Sequence, residues 1–167
     1  MIFGKKKNAG KSLPEECKNT EMSFERYKRL FKAGNRQMRG RMGEEVCCWH
    51  LEEEGYKIVK RNWRIGHKEL DIIAENDKYI VFVEVKTRSD DADMIKKYGT
   101  AAAAITDEKL YKLKAAANAY LASSKTEKTP RIDVMEVFLR PTGVERDFVP
   151  TRVTHLENVR SRGKRRY

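Results

Sequence analysis

The 167-residue chain contains 37% charged and 40% hydrophobic residues, a composition typical of one globular domain with extensions. No apolar run approaches the ~20 residues of a membrane helix, and the N-terminus lacks an apolar signal sequence, so we expect a cytoplasmic protein. Three cysteines without disulfide spacing are consistent with a reducing compartment. Cys47 and His50 alone provide too few ligands for a zinc site.

The positive charge is concentrated at the two ends of the chain. The net charge is +11, of which residues 1–42 contribute +8, residues 43–140 contribute −1 and residues 141–167 contribute +4. Basic segments of this kind bind polyanions, because each phosphate contact releases condensed counterions. A pair of solvated tails that keep the protein soluble is an equally good interpretation of the charge alone.

The first half of the chain contains signals for one helix and three strands. Residues 1–38 have no sustained apolar period, and we interpret them as a basic extension, either disordered or with a short helix at "SFERYKRLFKAG". The segment "RMGEEVCCWHLEEEGY" predicts a helix that Gly55 closes. "KIVKRNWRI" predicts a strand, and "ELDIIAE" and "KYIVFVEVKTR" predict a hairpin that turns at Asn76 and Asp77.

The second half predicts another helix and one or two more strands. "SDDADMIKKYGTAAAA" predicts a loop that Gly99 helps to turn. Thr106 is the expected N-cap of the helix "DEKLYKLKAAANAYLA". "RIDVMEVFLR" predicts a strand, and "TRVTHLENV" predicts a short last strand. This order of elements predicts a mixed α/β domain.

The predicted hairpin has one apolar face and one charged face, because side chains alternate along a strand. The apolar face contains Leu70, Ile72, Ala74, Val81, Val83 and Val85. The charged face contains Glu69, Asp71, Glu84 and Lys86. A two-residue turn places Asp71 opposite Phe82 and Glu69 opposite Glu84, whereas a four-residue loop shifts this register but keeps the same faces.

The charged face is a candidate metal site. Carboxylates that lie this close repel one another, and a bound cation, a lysine or a shared proton relieves the repulsion. Asp71 and Glu84 would supply the oxygen ligands that Mg²⁺ or Mn²⁺ prefers, and Lys86 would orient or deprotonate an attacking water. Simpler interpretations stay open, because Glu-x-Lys and cross-strand ion pairs are common on solvated faces. Glu69 is better suited to supporting the site than to binding metal.

Glu44 falls on the apolar stripe of the first predicted helix, which Cys47, Cys48 and Leu51 share. A carboxylate that faces the core is costly unless it is paired, protonated or bound to metal, and a position at the helix start would lower this cost. The neighbouring Glu45 is expected to face water. Glu44 therefore joins the candidate site, although it could also cap its own helix.

The run "GEE…LEEEGYKIVKRNWR…ELDIIA…VFVEVKTRS", followed by "RIDVMEV" and "VTHLENV", resembles the YraN family. That family is similar to archaeal Holliday-junction resolvases within the restriction-endonuclease-like, PD-(D/E)xK superfamily. The resemblance implies a core in which a mixed β-sheet is flanked by α-helices. By position it implies that Asp71 and Glu84 bind metal, that Lys86 is the motif lysine and that Glu44 belongs to a Gly-Glu motif. Lys68 stands where the family usually has glycine, which affects the local turn rather than the acids.

Together, the residues and the resemblance predict a Mg²⁺- or Mn²⁺-dependent endonuclease that acts on DNA. Cleavage selective for branched or junction DNA is one form that this activity could take. Three lysines of the second helix, with the basic ends of the chain, are expected to follow the phosphate backbone: Lys109, Lys112 and Lys114.

The predicted organisation is an extension over residues 1–38, an endonuclease-like domain over residues 39–159 and a basic tail over residues 160–167. The main alternative is a nucleic-acid-binding or assembly module that has the fold but does not cut. Such a module would gain little from acids on a surface that faces DNA. RNA as the substrate stays open, although no aromatic-rich RNA-binding motif is present. Whether the protein acts as a monomer or as a homodimer also stays open.

Overall fold

A computed structural model describes residues 36–90, 105–143 and 148–160. Two helices, α1 (Arg36–Glu53) and α2 (Asp107–Ser123), accompany five strands. The strands are β1 (Lys57–Ile65), β2 (Lys68–Glu75), β3 (Tyr79–Ser89), β4 (Thr129–Pro141) and β5 (Phe148–Leu156). The predicted extension before residue 36, most of the predicted loop after β3 and the basic tail after residue 160 lie outside the described residues.

The five strands form one mixed sheet in the order β1-β2-β3-β4-β5. The β3–β4 pair is parallel and the other three pairs are antiparallel. Helix α2 lies between β3 and β4 in the sequence, as part of the long crossover that a parallel pair requires. The predicted mixed α/β fold is confirmed, and the last strand, β5, spans nine residues and pairs with β4 along its length apart from one register shift.

The two helices cover opposite faces of the sheet. Val46, Cys47 and Leu51 of α1 pack in one buried cluster with Ile72 of β2, whereas Ile73 belongs to a second cluster on α2. Consecutive strand residues point to opposite faces, so this division places one helix on each side. Burying each large apolar side chain contributes about 1.5–3 kcal/mol, so these clusters supply the main stabilisation of the fold.

Local signals decide where the helices begin and end. The N–H of Gly55 donates to the carbonyl of Glu52 and the N–H of Tyr56 to that of Leu51, which is a Schellman closure with Gly55 at positive φ. The predicted N-cap of α2 is confirmed, because the Thr106 hydroxyl accepts from the N–H of Lys109. Within the described residues, helix α1 runs from Arg36, which lies in the last part of the predicted extension. Within the described part of the chain, no helix combines the length and apolarity that crossing a membrane requires.

The β2–β3 hairpin uses the longer of the two predicted turns. Glu75 pairs with Ile80, so four residues connect the paired positions. The Asn76 side-chain oxygen accepts from the N–H groups of Lys78 at 3.0 Å and Tyr79 at 2.8 Å. Asparagine closes this loop because its short side chain mimics a main-chain acceptor. This register, carried one step beyond the ladder, places Asp71 opposite Glu84.

One prediction about the faces is wrong: Leu70 packs in the α2 cluster and not with Ile72 on the α1 side. Its partner in β1 is Trp63, which packs edge-on against Tyr120 of α2. Arg61, two residues before Trp63, instead contacts α1 through Glu45. Asn62 lies between them at φ 49°, a left-handed conformation that interrupts the alternation of the strand. Leu70 pairs with Trp63 across the strands and therefore packs on the same α2 face.

Helix α1 approaches β3 most closely at Gly43. A Cβ atom added to Gly43 would lie 2.0 Å from Thr87 Oγ1 and 3.2 Å from Thr87 Cβ. A glycine is therefore required for this approach, which brings the adjacent Glu44 down towards the sheet.

We predict that Gly43→Ala lowers the free energy of unfolding by about 1–3 kcal/mol, because the added methyl group overlaps Thr87. Gly40→Ala is the matched control in the same helix. A Cβ at Gly40 meets nothing within 4 Å, so we expect a gain of about 0.5–1 kcal/mol from helix propensity.

Urea unfolding followed by circular dichroism measures both variants. Thr87→Ala in the Gly43→Ala background should recover part of the loss, because it removes the closest clashing atom. Equal stabilities for the Gly43→Ala and Gly40→Ala proteins would contradict the proposed close contact.

Candidate metal centre where β2 and β3 separate

Asp71 lies where β2 leaves β3. The ladder between these strands runs from Glu75 opposite Ile80 to Ile72 opposite Val83. One residue beyond it, Asp71 Oδ2 accepts a hydrogen bond of 2.8 Å from the N–H of Val85. The Asp71 side chain thereby accepts from a main-chain N–H that β2 no longer pairs with. This hydrogen bond fixes one carboxylate oxygen, and the second oxygen can contact another partner.

Glu84 is almost fully buried, with 4% of its side chain exposed, and two ammonium groups meet one of its oxygens. Lys86 Nζ lies 2.7 Å and Lys109 Nζ 2.9 Å from Glu84 Oε1. The two lysine side chains are 34% and 41% exposed, so they connect a buried acid with the surface. The sequence assigned Lys109 only to DNA contacts, but the structure brings its ammonium group into the acidic cluster.

The pKa of Asp71 reflects the electrostatics of the cluster. Burial raises the pKa of this carboxyl to about 6, and the negative charges of Glu84 and Glu44 act in the same direction. The hydrogen bond from Val85 and the charge of Lys109 oppose the rise. A carboxylate held in this way is destabilised by its surroundings at neutral pH, and a cation placed next to it would relieve the strain.

Glu44 lies in the middle of α1 and not at its start. The helix begins eight residues earlier, so the expected help from the end of the helix dipole is absent. The expected burial is also incomplete, because Glu44 is half-exposed. Instead, Asn62 Nδ2 donates to Glu44 Oε2 at 2.9 Å. Burial, the adjacent Cys48 and the charges of Asp71 and Glu44 raise the pKa of the Cys47 thiol well above its ordinary value, so this thiol stays neutral.

The structure brings most, but not all, of the predicted site residues together. Asp71, Glu84 and Lys86 come together, and Glu44 lies close enough to raise the pKa of Asp71. Glu69, predicted to support the site, is bound at 2.7 Å by Arg64, and its side chain is 40% exposed.

Three further charged side chains of α1 and α2 lie outside the acidic cluster. Lys112 pairs with Glu108 on the exposed side of α2, and Lys114 is exposed there as well. Glu45, expected to face water, forms a 2.7 Å ion pair with Arg61. The two exposed lysines therefore remain candidates for contacts with a substrate, whereas Glu45 attaches α1 to β1.

Sequence reasoning missed a buried pair next to Lys86. Arg88 Nε donates to Glu136 Oε1 at 2.6 Å, and only 4% of the Glu136 side chain is exposed. Glu136 is the β4 partner of Lys86 in the register. The signal was present, because an acid inside the apolar strand "RIDVMEVFLR" is the same kind of interruption that drew attention to Glu84.

The fold and the site define a mixed α/β protein with a lysine-flanked pair of carboxylates where two strands separate. The model of "Uncharacterised protein family UPF0102" matches residues 43–137, which include α1 from Gly43 onwards and strands β1 to β3. The chain belongs to this family, which confirms the resemblance to YraN proteins.

Two relatives match this chain over most of their own length, and a third matches over a short, more similar segment. A UPF0102 protein of Syntrophus aciditrophicus is 33% identical over 121 residues, which cover 72% of this chain and 91% of the relative. A UPF0102 protein of Caldanaerobacter subterraneus is 34% identical over 129 residues, covering 77% of this chain and 98% of the relative. One from Oleidesulfovibrio alaskensis is 58% identical, but over only 50 residues, 30% of this chain and 25% of that protein.

We predict that Asp71→Asn stabilises the metal-free protein at about pH 8 and does so less at about pH 5. The pKa of Asp71 is about 6 in the folded protein against an ordinary 3.8, so folding binds a proton between these values. Stability is therefore lost as the pH rises through this window. At pH values above this window, removing the charge should raise the free energy of unfolding by about 2 kcal/mol. Asparagine keeps an acceptor for the N–H of Val85.

Urea unfolding in EDTA at the two pH values tests this expectation. Glu69→Gln is the matched control, because the exposed Glu69 should change stability by no more than about 0.5 kcal/mol at either pH. An Asp71→Asn protein that is no more stable than wild type at the higher pH would show that the Asp71 carboxylate is not under strain.

Proposed function

We propose that this protein is a Mg²⁺- or Mn²⁺-dependent phosphodiesterase that cleaves DNA. The observation that carries the proposal is the contact between Glu84 and two lysines, Lys86 and Lys109, beside a second, half-buried carboxylate, Asp71. Carboxylates that bind a metal and ammonium groups that contact a phosphate are the two functions such an enzyme needs.

The residues present fit a hard divalent cation. All the candidate ligand atoms are carboxylate oxygens, which Mg²⁺ and Mn²⁺ prefer, and one or two such groups suffice because these ions keep several waters. Asp71 and Glu84 would hold the ion, and its charge would relieve the repulsion that raises the pKa of Asp71. When bound, the ion would polarise the scissile phosphate and make water acidic enough to attack phosphorus.

Lys86 and Lys109 would change partners when substrate binds. Both ammonium groups rest on Glu84, and both side chains are more than one-third exposed. A phosphate that enters from solvent can therefore attract them, so their charge moves to the phosphoryl oxygens where negative charge develops in the transition state. Glu84 is then left to the metal.

Glu44 would act from the α1 side. Asn62 holds one of its oxygens at 2.9 Å, and its charge reaches Asp71. In this position the carboxylate can accept a hydrogen bond from the attacking water or help to hold the cation. Its role is to orient the reacting water.

DNA would be held by positive charge outside the site. Residues 1–42 and 141–167 carry net charges of +8 and +4. Lys112 and Lys114 are exposed on the helix that carries Lys109, so phosphates next to the scissile one could follow α2. These contacts are independent of base sequence, which is consistent with selection of DNA by shape.

We predict that wild-type protein cleaves one or more of branched, nicked and linear DNA when Mg²⁺ or Mn²⁺ is present. Asp71→Asn, Glu84→Gln and Lys86→Ala should each reduce the rate at least about 100-fold, because each removes a charge from the reacting centre. Lys60→Ala, which removes an exposed lysine of β1, is the matched control for the loss of one positive charge. Gel electrophoresis of labelled substrates gives the rates.

The same samples separate cleavage from simple binding. A non-catalytic module would bind DNA in a salt-dependent manner that neither EDTA nor Asp71→Asn reduces, and no condition would yield cut DNA. Cleavage that survives both Asp71→Asn and Lys86→Ala would refute the assignment of the site. Parallel reactions with RNA of the same shapes determine which nucleic acid is the substrate.

A further inference from the structure

A second cluster of ligand atoms lies at the C-terminal end of α1, where His50 and Glu54 meet His155 of β5. His50 Nε2 lies 3.4 Å from Glu54 Oε1, and His155 Nδ1 lies 3.2 Å from Glu54 Oε2. One ligand atom from each of the three residues lies within 4.8 Å of the other two. The sequence spacing of His50 and Glu54 explains why these two of the three residues meet, because residues four apart share one side of a helix.

Asp133 determines how His155 presents its ring. Its carboxylate, fully buried, accepts from Arg131 at 2.7 Å and from the N–H of Asn158 at 2.9 Å. The ion pair with Arg131 and the hydrogen bond from Asn158 make this carboxylate an acceptor. His155 Nε2 lies 2.9 Å from Asp133 Oδ2 and must carry the hydrogen of that contact.

This arrangement turns His155 Nδ1 towards a second carboxylate. In the neutral imidazole with its proton on Nε2, Nδ1 has a lone pair, and that lone pair faces Glu54 at 3.2 Å. Two electron-rich groups at this distance require a positive charge between them. A proton on Nδ1 supplies one, and a metal ion bound by both groups supplies the other.

The distances suit a tetrahedral metal ion. Zinc binds nitrogen and oxygen ligands at about 2.0–2.2 Å, which places neighbouring ligand atoms of a tetrahedron roughly 3.3–3.6 Å apart. The contacts of 3.4 Å from His50 to Glu54 Oε1 and 3.2 Å from His155 to Glu54 Oε2 are each close to this value, so the carboxylate lies between the two imidazoles and would bind through one or both oxygens. An imidazole bound to metal through one nitrogen commonly donates its other N–H to a carboxylate, as His155 does to Asp133.

We propose that His50, Glu54 and His155 bind a divalent transition-metal ion of the zinc class, with Asp133 orienting His155. Two imidazole nitrogens and a carboxylate suit Zn²⁺, whereas Mg²⁺ prefers oxygen ligands alone. The ion joins the end of α1 to β5, elements that are distant in sequence. Its function is to fasten α1 to the sheet.

This site is separate from the carboxylate pair of β2 and β3. Glu44 and His50 are six residues apart on α1, which corresponds to about 9 Å along the helix axis. The two sets of ligand atoms share no residue, and they differ in chemistry, with oxygens in one and mainly nitrogens in the other. Binding of zinc therefore does not depend on whether the protein cleaves DNA.

The experiment uses the full-length chain with Asp71→Asn and Glu84→Gln, so that the first site cannot bind metal. After EDTA treatment and its removal, Zn²⁺ is titrated by isothermal calorimetry, and thermal unfolding is measured with and without the ion. We expect one Zn²⁺ per chain and a higher Tm with Zn²⁺, because the ion binds only the folded arrangement. Mg²⁺ at the same concentration should leave the Tm unchanged.

Glu54→Gln and His50→Gln should each weaken Zn²⁺ binding at least about 10-fold and reduce the rise in Tm. Glu53→Gln, the adjacent exposed position of the same helix, is the matched control and should bind as the parent does. Absence of a Zn²⁺-dependent rise in Tm, or equal affinities for the Glu54→Gln and Glu53→Gln proteins, would overturn the proposal. Either result leaves the cleavage assay of the unmodified chain unaffected.

Discussion

Repulsion between a buried and a half-buried carboxylate is the constraint around which this structure is organised. Asp71 and Glu84 occupy opposite positions where β2 and β3 separate, with Glu84 buried and Asp71 half-buried. The protein stabilises them with a main-chain N–H on Asp71 and two ammonium groups on Glu84. The pKa of Asp71, raised to about 6 by burial and by Glu84, shows that this stabilisation is incomplete. A cation bound here would relieve the remaining negative charge.

The packing of α1 brings the third acid to this site. Gly43 allows the helix to contact Thr87 of β3 at a distance that no other residue would permit, and Glu44 follows directly. Asn62 of β1 then holds Glu44, and its left-handed backbone also sends Trp63 to the opposite face of the sheet. One irregular residue in an edge strand therefore serves both the polar site and the apolar core.

Helix α1 connects two polar centres of different chemistry. Near its middle, Glu44 faces a site made of carboxylate oxygens, and near its end His50 and Glu54 face His155 of β5. The first set would suit a hard cation, and the second would suit an ion that prefers nitrogen, as we propose for each. A metal at the second centre would hold the end of α1 on the sheet, and through the rigid helix it would help to maintain the position of Glu44.

Local patterns in the sequence determined the elements, the N-cap at Thr106, the closure at Gly55, and the grouping of Asp71, Glu84 and Lys86, because alternation and capping depend on residues close in sequence. Only the tertiary structure decided that Lys109 reaches Glu84 and that Asn62 binds Glu44. It also decided that Leu70 packs against α2. In the same way, it brought His155 next to His50 and Glu54. Those contacts join residues far apart in the chain or follow one left-handed residue. They depend on how the helices pack across a twisted sheet, which the hydrophobic periodicity of the sequence does not predict.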